Sequence, residues 1–318
     1  ISVGNITAGG SGKTPFVILL SNLLSQKNVK HAIVSRGYKK NISSDASMLP
    51  GDSSSNYSPN SFGDEPFMLF KTLKKTPVFV GDKLRSLLKI ERLFKEKVVL
   101  VDDGYQTYKL FKDINVLLLD CSLDISLYKI LPVGLLREPL GAIKRADVVV
   151  LTKTNLSSSN NLLSLKKHFK QYLNTDKQLV LDSTYCASVL YYNSNQLMKV
   201  DTTNSLFKNN KQISISGIAN PLSFRRTLKS LNIAVFKNFI FPDHYKYSHK
   251  NIKKIISFAQ QNNIKTIITT KKDFYKISSL FDGFELYVID VRHKLVDINI
   301  LIEFCKKKYL SKLAGNFK

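Results

Sequence analysis

Acidic residues are scarce in this chain. Its 318 residues carry 24 Asp+Glu against 48 Lys+Arg, a formal net charge of +24. Only eight of those 48 cations are arginine, and the lysines are spread along the whole length in runs such as "KHFKQ", "NIKK" and "FCKKKY". Such an excess favours anionic partners, either phosphorylated substrates or acidic head groups. It does not make a nucleic-acid binder, because no basic arm is gathered and no aromatics interleave with the cations. Nucleic acid is therefore not expected as a partner. Cysteine is scarce too. Cys121, Cys186 and Cys305 lie far apart without a CxxC pair, which argues against a disulfide framework or a zinc knuckle and fits a reducing compartment. Long apolar runs are also missing. "PFVILL" and "INVLLLD" fall far short of the ~20 residues a spanning helix needs, and no signal peptide is read.

What is present suits a globular enzyme. Hydrophobic residues make up 43% of the chain, enough for sizeable cores, and a prior of about 150 residues per domain suggests two. "ISVGN", "HAIVSRGY", "TPVFVGD", "KVVLVDDG", "INVLLLD" and "ADVVVLTKT" read as strands, several of them apolar throughout and hence buried on both faces. Helical patterns alternate with them in "PFVILLSNLLSQK", "GDEPFMLFKTLKK" and "KLRSLLKIERLFKE". That alternation predicts α/β architecture with a parallel sheet. Residues 41–60 are polar and read as a loop. "QLVLDSTYCASVLYYN" and "QLMKVD" read as paired strands, and a second α/β unit follows them. The expectation is a P-loop NTPase-like kinase core over residues 1–180. A smaller C-terminal α/β domain with its linker strands covers 181–318, joined to the core by a β-ribbon.

The strongest local signal is "GGSGKT", Gly9, Gly10, Ser11, Gly12, Lys13 and Thr14. Glycines let backbone N–H groups turn toward phosphate oxygens, and a following helix adds its dipole. Lys13 can reach the β- and γ-phosphates of ATP, and Thr14 can offer its hydroxyl to Mg²⁺. The common pattern has Gly where this chain has Thr7, but a strand precedes the loop and a helix follows it. In "KVVLVDDGYQ" an apolar strand ends on Asp102 and Asp103, where a Mg²⁺-holding carboxylate is expected.

Three further stretches, "GDEPF", "LPVGLLREPL" and "FPDHYKY", complete a set with "VGNITAGGSGKTP", "SRGY" and "VDDGYQ". Together they resemble the tetraacyldisaccharide 4'-kinase family, the lipid A kinases, over nearly the whole chain, and Thr7 belongs to that family's version of the loop. The resemblance implies transfer of the ATP γ-phosphate to the 4'-hydroxyl of a lipid substrate, tetraacyldisaccharide 1-phosphate. It implies a two-domain enzyme on the cytoplasmic face of the bacterial inner membrane, in peripheral contact with anionic lipid. The N-terminal apolar segment usual in the family is not present in this chain. Asp64 matches the family's catalytic base and His244 the histidine that pairs with it. A weakly nucleophilic sugar hydroxyl needs such an acceptor for its proton. Glu65 adjoins Asp64 and is expected near Mg²⁺ or the base, or else as a surface acid at a helix start. Arg137 and Glu138 match positions near the active site, with Arg137 clamping a phosphate and Glu138 orienting it, or the two forming a structural ion pair. Ser35, Arg36 and Gly37 end a strand on the same edge. "LTKTN" resembles a guanine-reading motif, but Asn155 stands where Asp is needed, so Lys153 reads as a strand-end residue. A P-loop switch acting on a protein partner is the alternative. It accounts for the loop and "DDG" but not for "GDEP", "LREP" and "DHY" together.

Overall fold

The computed structural model describes residues 1–37, 46–48, 57–93, 98–194, 196–200, 207 and 211–315. Most of the polar loop read at 41–60, Tyr38 of "SRGY" and residues 94–97 lie outside the described residues. In the first lobe the strands are β1 (Ser2–Asn5), β2 (His31–Ser35), β3 (Ala46–Met48), β4 (Val78–Val80), β5 (Val98–Asp102), β6 (Asn115–Asp120) and β7 (Val148–Thr152). The helices are α1 (Lys13–Gln26), α2 (Pro59–Phe62), α3 (Asp64–Leu73), α4 (Lys83–Leu93) and α5 (Ser159–Lys170). A long strand, β8 (Leu179–Asn193), leaves this lobe and folds back on β9 (Gln196–Val200). The second lobe contains β10 (Gln212–Ser216), α6 (Pro221–Ser230), β11 (Lys237–Ile240), α7 (His249–Gln261), β12 (Thr266–Thr270), α8 (Lys271–Ile277) and β13 (Glu285–Leu295). Helix α9 (Ile298–Gly315) follows.

The strands form one mixed, mostly parallel sheet, ordered β11-β10-β12-β13-β8-β7-β6-β1-β5-β2-β4-β3. β8 makes it continuous. Its first residues run parallel to β7, and from Ser183 to Tyr191 it runs antiparallel to β13. The position read as a domain boundary, 180/181, thus falls inside one strand. β1 lies between β5 and β6, with Val3 opposite Asp102 on one side and Val116 on the other. That register sets the loop after β1 beside the acids that end β5, at the carboxyl edge where open α/β sheets bind ligands.

The continuous apolar runs behave as expected of central strands. β2, β6 and β7 are buried along their whole length. On one face α1 and α3 cover Val3, Leu100, Val116 and Val150. On the other, Leu165 and Phe169 of α5 pack on Leu117, Leu119 and Val149. α1 starts from a left-handed Gly12 (φ 91°) and ends before a left-handed Asn28 (φ 56°), the usual way a helix is stopped. Helices α5, α8 and α9 were not apparent in the residue pattern. α9 carries Leu301 and Phe304 back from the second lobe into the core of the first. Among the described residues no helix is long and apolar enough to cross a membrane.

If α9 closes the first core, its buried anchor carries stability. Leu301 is 1% exposed and its neighbour Ile300 is 47% exposed. Leu301→Ala is expected to cost about 2–4 kcal/mol, and Ile300→Ala less than about 1 kcal/mol. Urea unfolding of both variants checks this, and equal midpoints would show that α9 is not part of the core.

Candidate active site

The loop between β1 and α1 is braced from within. Asn5 Nδ2 donates to Thr7 O at 2.8 Å and to Gly9 O at 3.4 Å. Lys13 Nζ donates to Asn5 Oδ1 at 3.0 Å and lies 3.4 Å from Asp103. A Cβ on Gly12 would collide with the Tyr185 hydroxyl and come within 2.7 Å of His293 Nε2, so only glycine fits there. A second segment, the "LPVGLLREP" stretch, runs alongside the loop. Ala8 N donates to Leu135 O at 2.6 Å and Arg137 N to Ile6 O at 2.7 Å.

Asp102 and Asp103 sit at the end of β5 and differ sharply. Asp102 is 1% exposed, and its Oδ1 accepts no hydrogen bond. Its Oδ2 lies 3.5 Å from Thr14 Oγ1. Asp103 adopts the left-handed conformation (φ 53°) and faces the cations Lys13 and Arg137, the latter at 3.7 Å. Burial pushes the Asp103 carboxyl up, but Lys13, Arg137 and Lys83 outweigh it and hold it below the ordinary range.

A second charged cluster joins α3 to the second lobe. Gly63 (φ 94°) starts α3, whose first turn carries Asp64 and Glu65 at the positive end of the helix. His244 Nδ1 is 3.3 Å from Asp64 Oδ2, and Lys276 Nζ donates to the same oxygen at 3.1 Å. Lys272 Nζ reaches Asp243 at 2.9 Å, His244 Nε2 at 3.3 Å and Glu65 at 3.4 Å. Through Nδ1 the imidazole faces Asp64, and through Nε2 it faces Lys272 and, at 3.8 Å, Asp243. Burial raises the Asp64 carboxyl, yet the His244 bond and the Lys276 and Lys272 charges bring it below its usual value. Asp64 is therefore ionised at neutral pH.

Both clusters meet in a cleft of about 610 Å³ between the lobes. Its walls include the whole stretch from Gly9 to Thr14, Ser35, Arg36, Gly37, Glu65, Asp103 and Arg137 from the first lobe. Asp243, His244, Lys271 and Lys272 come from the second. Asp64 stands just behind this wall, 13% exposed, and touches it through His244. The expected partnership of Arg137 with Glu138 does not form. The chain bends at this pair, and the two side chains part. Arg137 meets Asp103 in the cleft, and Glu138 binds Arg145 at 2.7 Å, Tyr108 at 2.6 Å and Gln106 at 2.7 Å outside it.

A family model described as tetraacyldisaccharide-1-P 4'-kinase, LpxK, matches residues 1–309. The tetraacyldisaccharide 4'-kinase of Halothermothrix orenii is 31% identical over 288 residues, 87% of this chain and 74% of that protein. That of Aquifex aeolicus is 33% identical over 293 residues, 90% of this chain and 81% of that protein. The crystal structure of LpxK from Aquifex aeolicus in complex with ATP matches with a TM-score of 0.70 at 30% identity, covering 96% of this chain and 87% of that one. The chain belongs to the tetraacyldisaccharide 4'-kinase family.

In this member of the family, two residues at the phosphate loop escaped the sequence reading. Lys153 directly follows the end of β7, but its side chain is 2% exposed, pairs with Asp120 at 2.5 Å and donates to Gly10 O at 2.7 Å. His293, from β13, bonds Gly12 O through Nε2 at 3.0 Å and Ser183 Oγ through Nδ1 at 2.8 Å. Burial holds the imidazole down to about 4, so it is neutral. Nε2–H then donates to the carbonyl, and Nδ1 accepts from the serine. The "LTK" stretch was a usable signal for Lys153. Nothing in the local pattern marks His293.

Asp102 shows the cost of the acidic site. Burial, then Glu65 and Asp103, raise its carboxyl from 3.8 to about 7, against the opposing pull of Lys13 and Lys83. The folded protein thus keeps a proton that the unfolded chain has released. The resulting stability is full below the unfolded value and is lost as pH rises through the folded value, a window from about pH 4 to pH 7. Asp102→Asn removes this dependence. Without nucleotide or divalent cation, the variant is expected to melt above the unsubstituted protein at pH 8, with the gap closing toward pH 5. Melting curves at several pH values test it, and a gap independent of pH would count against a buried, raised Asp102.

Proposed function

We propose that this kinase transfers the γ-phosphate of ATP to the 4'-hydroxyl of tetraacyldisaccharide 1-phosphate, with its two lobes, residues 1–180 and 181–318, closing on the reactants. The observation that carries this reading is the shared cleft. Its floor is the glycine-rich loop with Lys13, and its facing wall presents His244, backed by Asp64. Gly9, Gly10, Ser11, Gly12, Lys13 and Thr14 bind the phosphates. Lys13 and Arg137 neutralise charge on the transferring group, which is where most catalysis of phosphoryl transfer arises. His244 and Lys276 occupy Asp64 Oδ2, so Asp64 Oδ1 accepts the hydroxyl proton. The new bond forms from the 4'-oxygen to the γ-phosphorus as the bond to the β-phosphate oxygen breaks. Glu138 acts at one remove. It holds Gln106, whose amide also donates to Asn5 O at 2.8 Å beneath the loop.

The residues fit a divalent cation. Asp102 Oδ1 is buried without a donor, Thr14 Oγ1 is beside the same carboxylate, and Asp103 and Glu65 are near. Thr14 and Asp102 would hold Mg²⁺, which supplies charge neutralisation on the phosphate oxygens. Among the described residues no group of three His, Cys, Asp or Glu side chains is placed to hold a metal. That suits a cation completed by phosphate and water.

The acceptor's four acyl chains keep it in the bilayer, since extraction costs ~0.8 kcal/mol per buried CH₂. The enzyme therefore works at the membrane surface, on the cytoplasmic face of the inner membrane where ATP is supplied. Its lysine excess gains up to ~1 kcal/mol per residue near anionic lipid.

Lys13→Ala is expected to lower kcat by at least ~100-fold in a γ-phosphate transfer assay with acceptor in detergent micelles. Turnover close to that of the unsubstituted protein would exclude the loop as the phosphate site. Asp64→Asn is expected to abolish most transfer and leave nucleotide binding intact, with His244→Ala milder. The double variant should fall no further than Asp64→Asn alone. Strictly additive losses would show that His244 does not act through Asp64.

A further inference from the structure

The segment 127–136 is a knob whose construction has no catalytic explanation. It closes on itself, with Leu135 N on Leu127 O at 2.8 Å, Leu136 N on Lys129 O at 2.8 Å and Gly134 N on Ile130 O at 3.1 Å. A Cβ at Gly134 would press within 2.7 Å of Leu127 O, so the turn is tight. Two side chains anchor it. Leu136 is 2% exposed, and Tyr128 is 4% exposed with its hydroxyl on Asp120 O at 2.8 Å. The tip, by contrast, points apolar groups outward. Val133 is 76% exposed, Leu131 47% and Ile130 45%. A tightly built turn that displays three adjacent apolar side chains is a contact surface rather than a packing defect.

Three observations say what covers it. First, the knob is one unit with the phosphate loop, through Ala8 N to Leu135 O, Arg137 N to Ile6 O and the bridge between Thr7 and Leu136. Val133 is only four residues from Arg137, which lines the cleft. Whatever the tip enters is therefore coupled to the phosphate loop through the base of the knob. Second, the surround is cationic. Between residues 127 and 145 stand Lys129, Arg137, Lys144 and Arg145 against one acid, Glu138; Arg145 pairs with Glu138 and Arg137 with Asp103, so Lys129 and Lys144 carry the excess charge. Exposed Lys109 lies on the neighbouring turn beside Tyr108, which is tied to Glu138. Third, apolar tips within a basic rim match an anionic bilayer surface, where the apolar groups enter the acyl boundary and the cations meet phosphates.

We propose that the tip Ile130–Leu131–Val133 inserts into the anionic membrane and sets the depth at which the cleft meets the lipid head group. This inference rests on the lipid-kinase reading, and the experiment separates the two. The chain contains no tryptophan, so Val133→Trp places a single tryptophan at the tip, excited selectively at wavelengths its tyrosines do not absorb. Its emission is expected to shift to the blue on addition of phosphatidylglycerol vesicles and to be quenched by lipids brominated on the acyl chain. Phosphatidylcholine vesicles should give at least ~10-fold weaker binding. In vesicle sedimentation, Val133→Asp with Leu131→Ser is expected to bind phosphatidylglycerol at least ~10-fold more weakly than the unsubstituted protein. Its transfer to micellar acceptor should stay within about twofold, because neither residue touches the cleft. Fluorescence of the Val133→Trp variant that is unmoved by anionic vesicles, or that shifts with protein concentration alone, overturns the proposal, the latter in favour of a second copy of the chain. Vesicle binding unchanged in the double variant overturns it too. Absence of transfer by the unsubstituted protein would instead overturn the kinase reading, and the fluorescence would still decide the knob.

Discussion

The phosphate loop is held by its carbonyls. Gly10 O takes the Lys153 ammonium, Ser11 O takes the Thr152 hydroxyl at 3.1 Å, and Gly12 O takes the His293 imidazole. All three donors come from outside the loop, two from the end of β7 and one from β13. A peptide group is planar and trans, so fixing the Gly12 carbonyl also fixes the Lys13 N–H on the opposite side. Glycine supplies the freedom to adopt the loop, and these donors remove that freedom once it is adopted. Since His293 arrives on a strand of the second lobe, the loop's shape and the placement of that lobe are mechanically one problem. The continuous sheet through β8 solves both.

The opposite wall is arranged by charge. Asp64, Glu65 and Asp243 would repel one another if left alone, and Lys272 and Lys276 sit among them. Burial opposes a charge on Lys272, but Glu65, Asp243 and Asp64 outweigh it and keep the ammonium charged. Lys276 is held in turn by Asp273 at 3.0 Å, whose other oxygen accepts from Gly217 N and Thr270 Oγ1. Desolvated ions in such a network stabilise little net, because each has given up water. What the network provides is position. It fixes the rotamer of His244 against Asp64, and it does so with residues of both lobes.

Much of this was legible in the sequence, and the limits have physical reasons. The parallel core showed because its strands are buried on both faces and read as unbroken apolar runs. The loop and the acids of β5 showed because phosphate chemistry needs those types at those places, whereas the roles expected of Asp64 and His244 came only from the family resemblance of "GDEP" and "DHY". α9 did not show, because "INILIEFCKKKYL" has apolar residues on more than one side and no sharp stripe. α5 was hidden by its polar start, "SSSNN", which signals a loop as strongly as it signals a cap. In the structure Ser158 does cap it, accepting from Asn161 N at 3.3 Å. The partner of Glu138 was misread because adjacency along the chain was taken for adjacency in space. His293 was invisible for a deeper reason. Its role depends on β13 running antiparallel to β8 for nine residues, a tertiary fact that no local pattern encodes.

Backbone strain marks the site independently of any motif. Among the described residues eight that are not glycine take positive φ. Five of them stand where a turn demands it: Asn28, Lys74, Asn232 and Asn263 at helix ends, and Ser194 in the turn between β8 and β9. The other three are Asp103, Lys153 and His244. Each carries a charged or ionisable side chain, each lines the cleft, and none gains a helix stop by the distortion. A left-handed residue with a Cβ costs roughly 1 kcal/mol or more. Three such costs, added to the buried Asp102 Oδ1 that accepts no hydrogen bond, are incurred in one place. Turning the backbone here aims Asp103 and His244 at the cleft and Lys153 at the Gly10 carbonyl beneath the loop. Regular strand or helix geometry would have sent them elsewhere. Selection for stability alone would have removed these features, so they persist because the site is built from them.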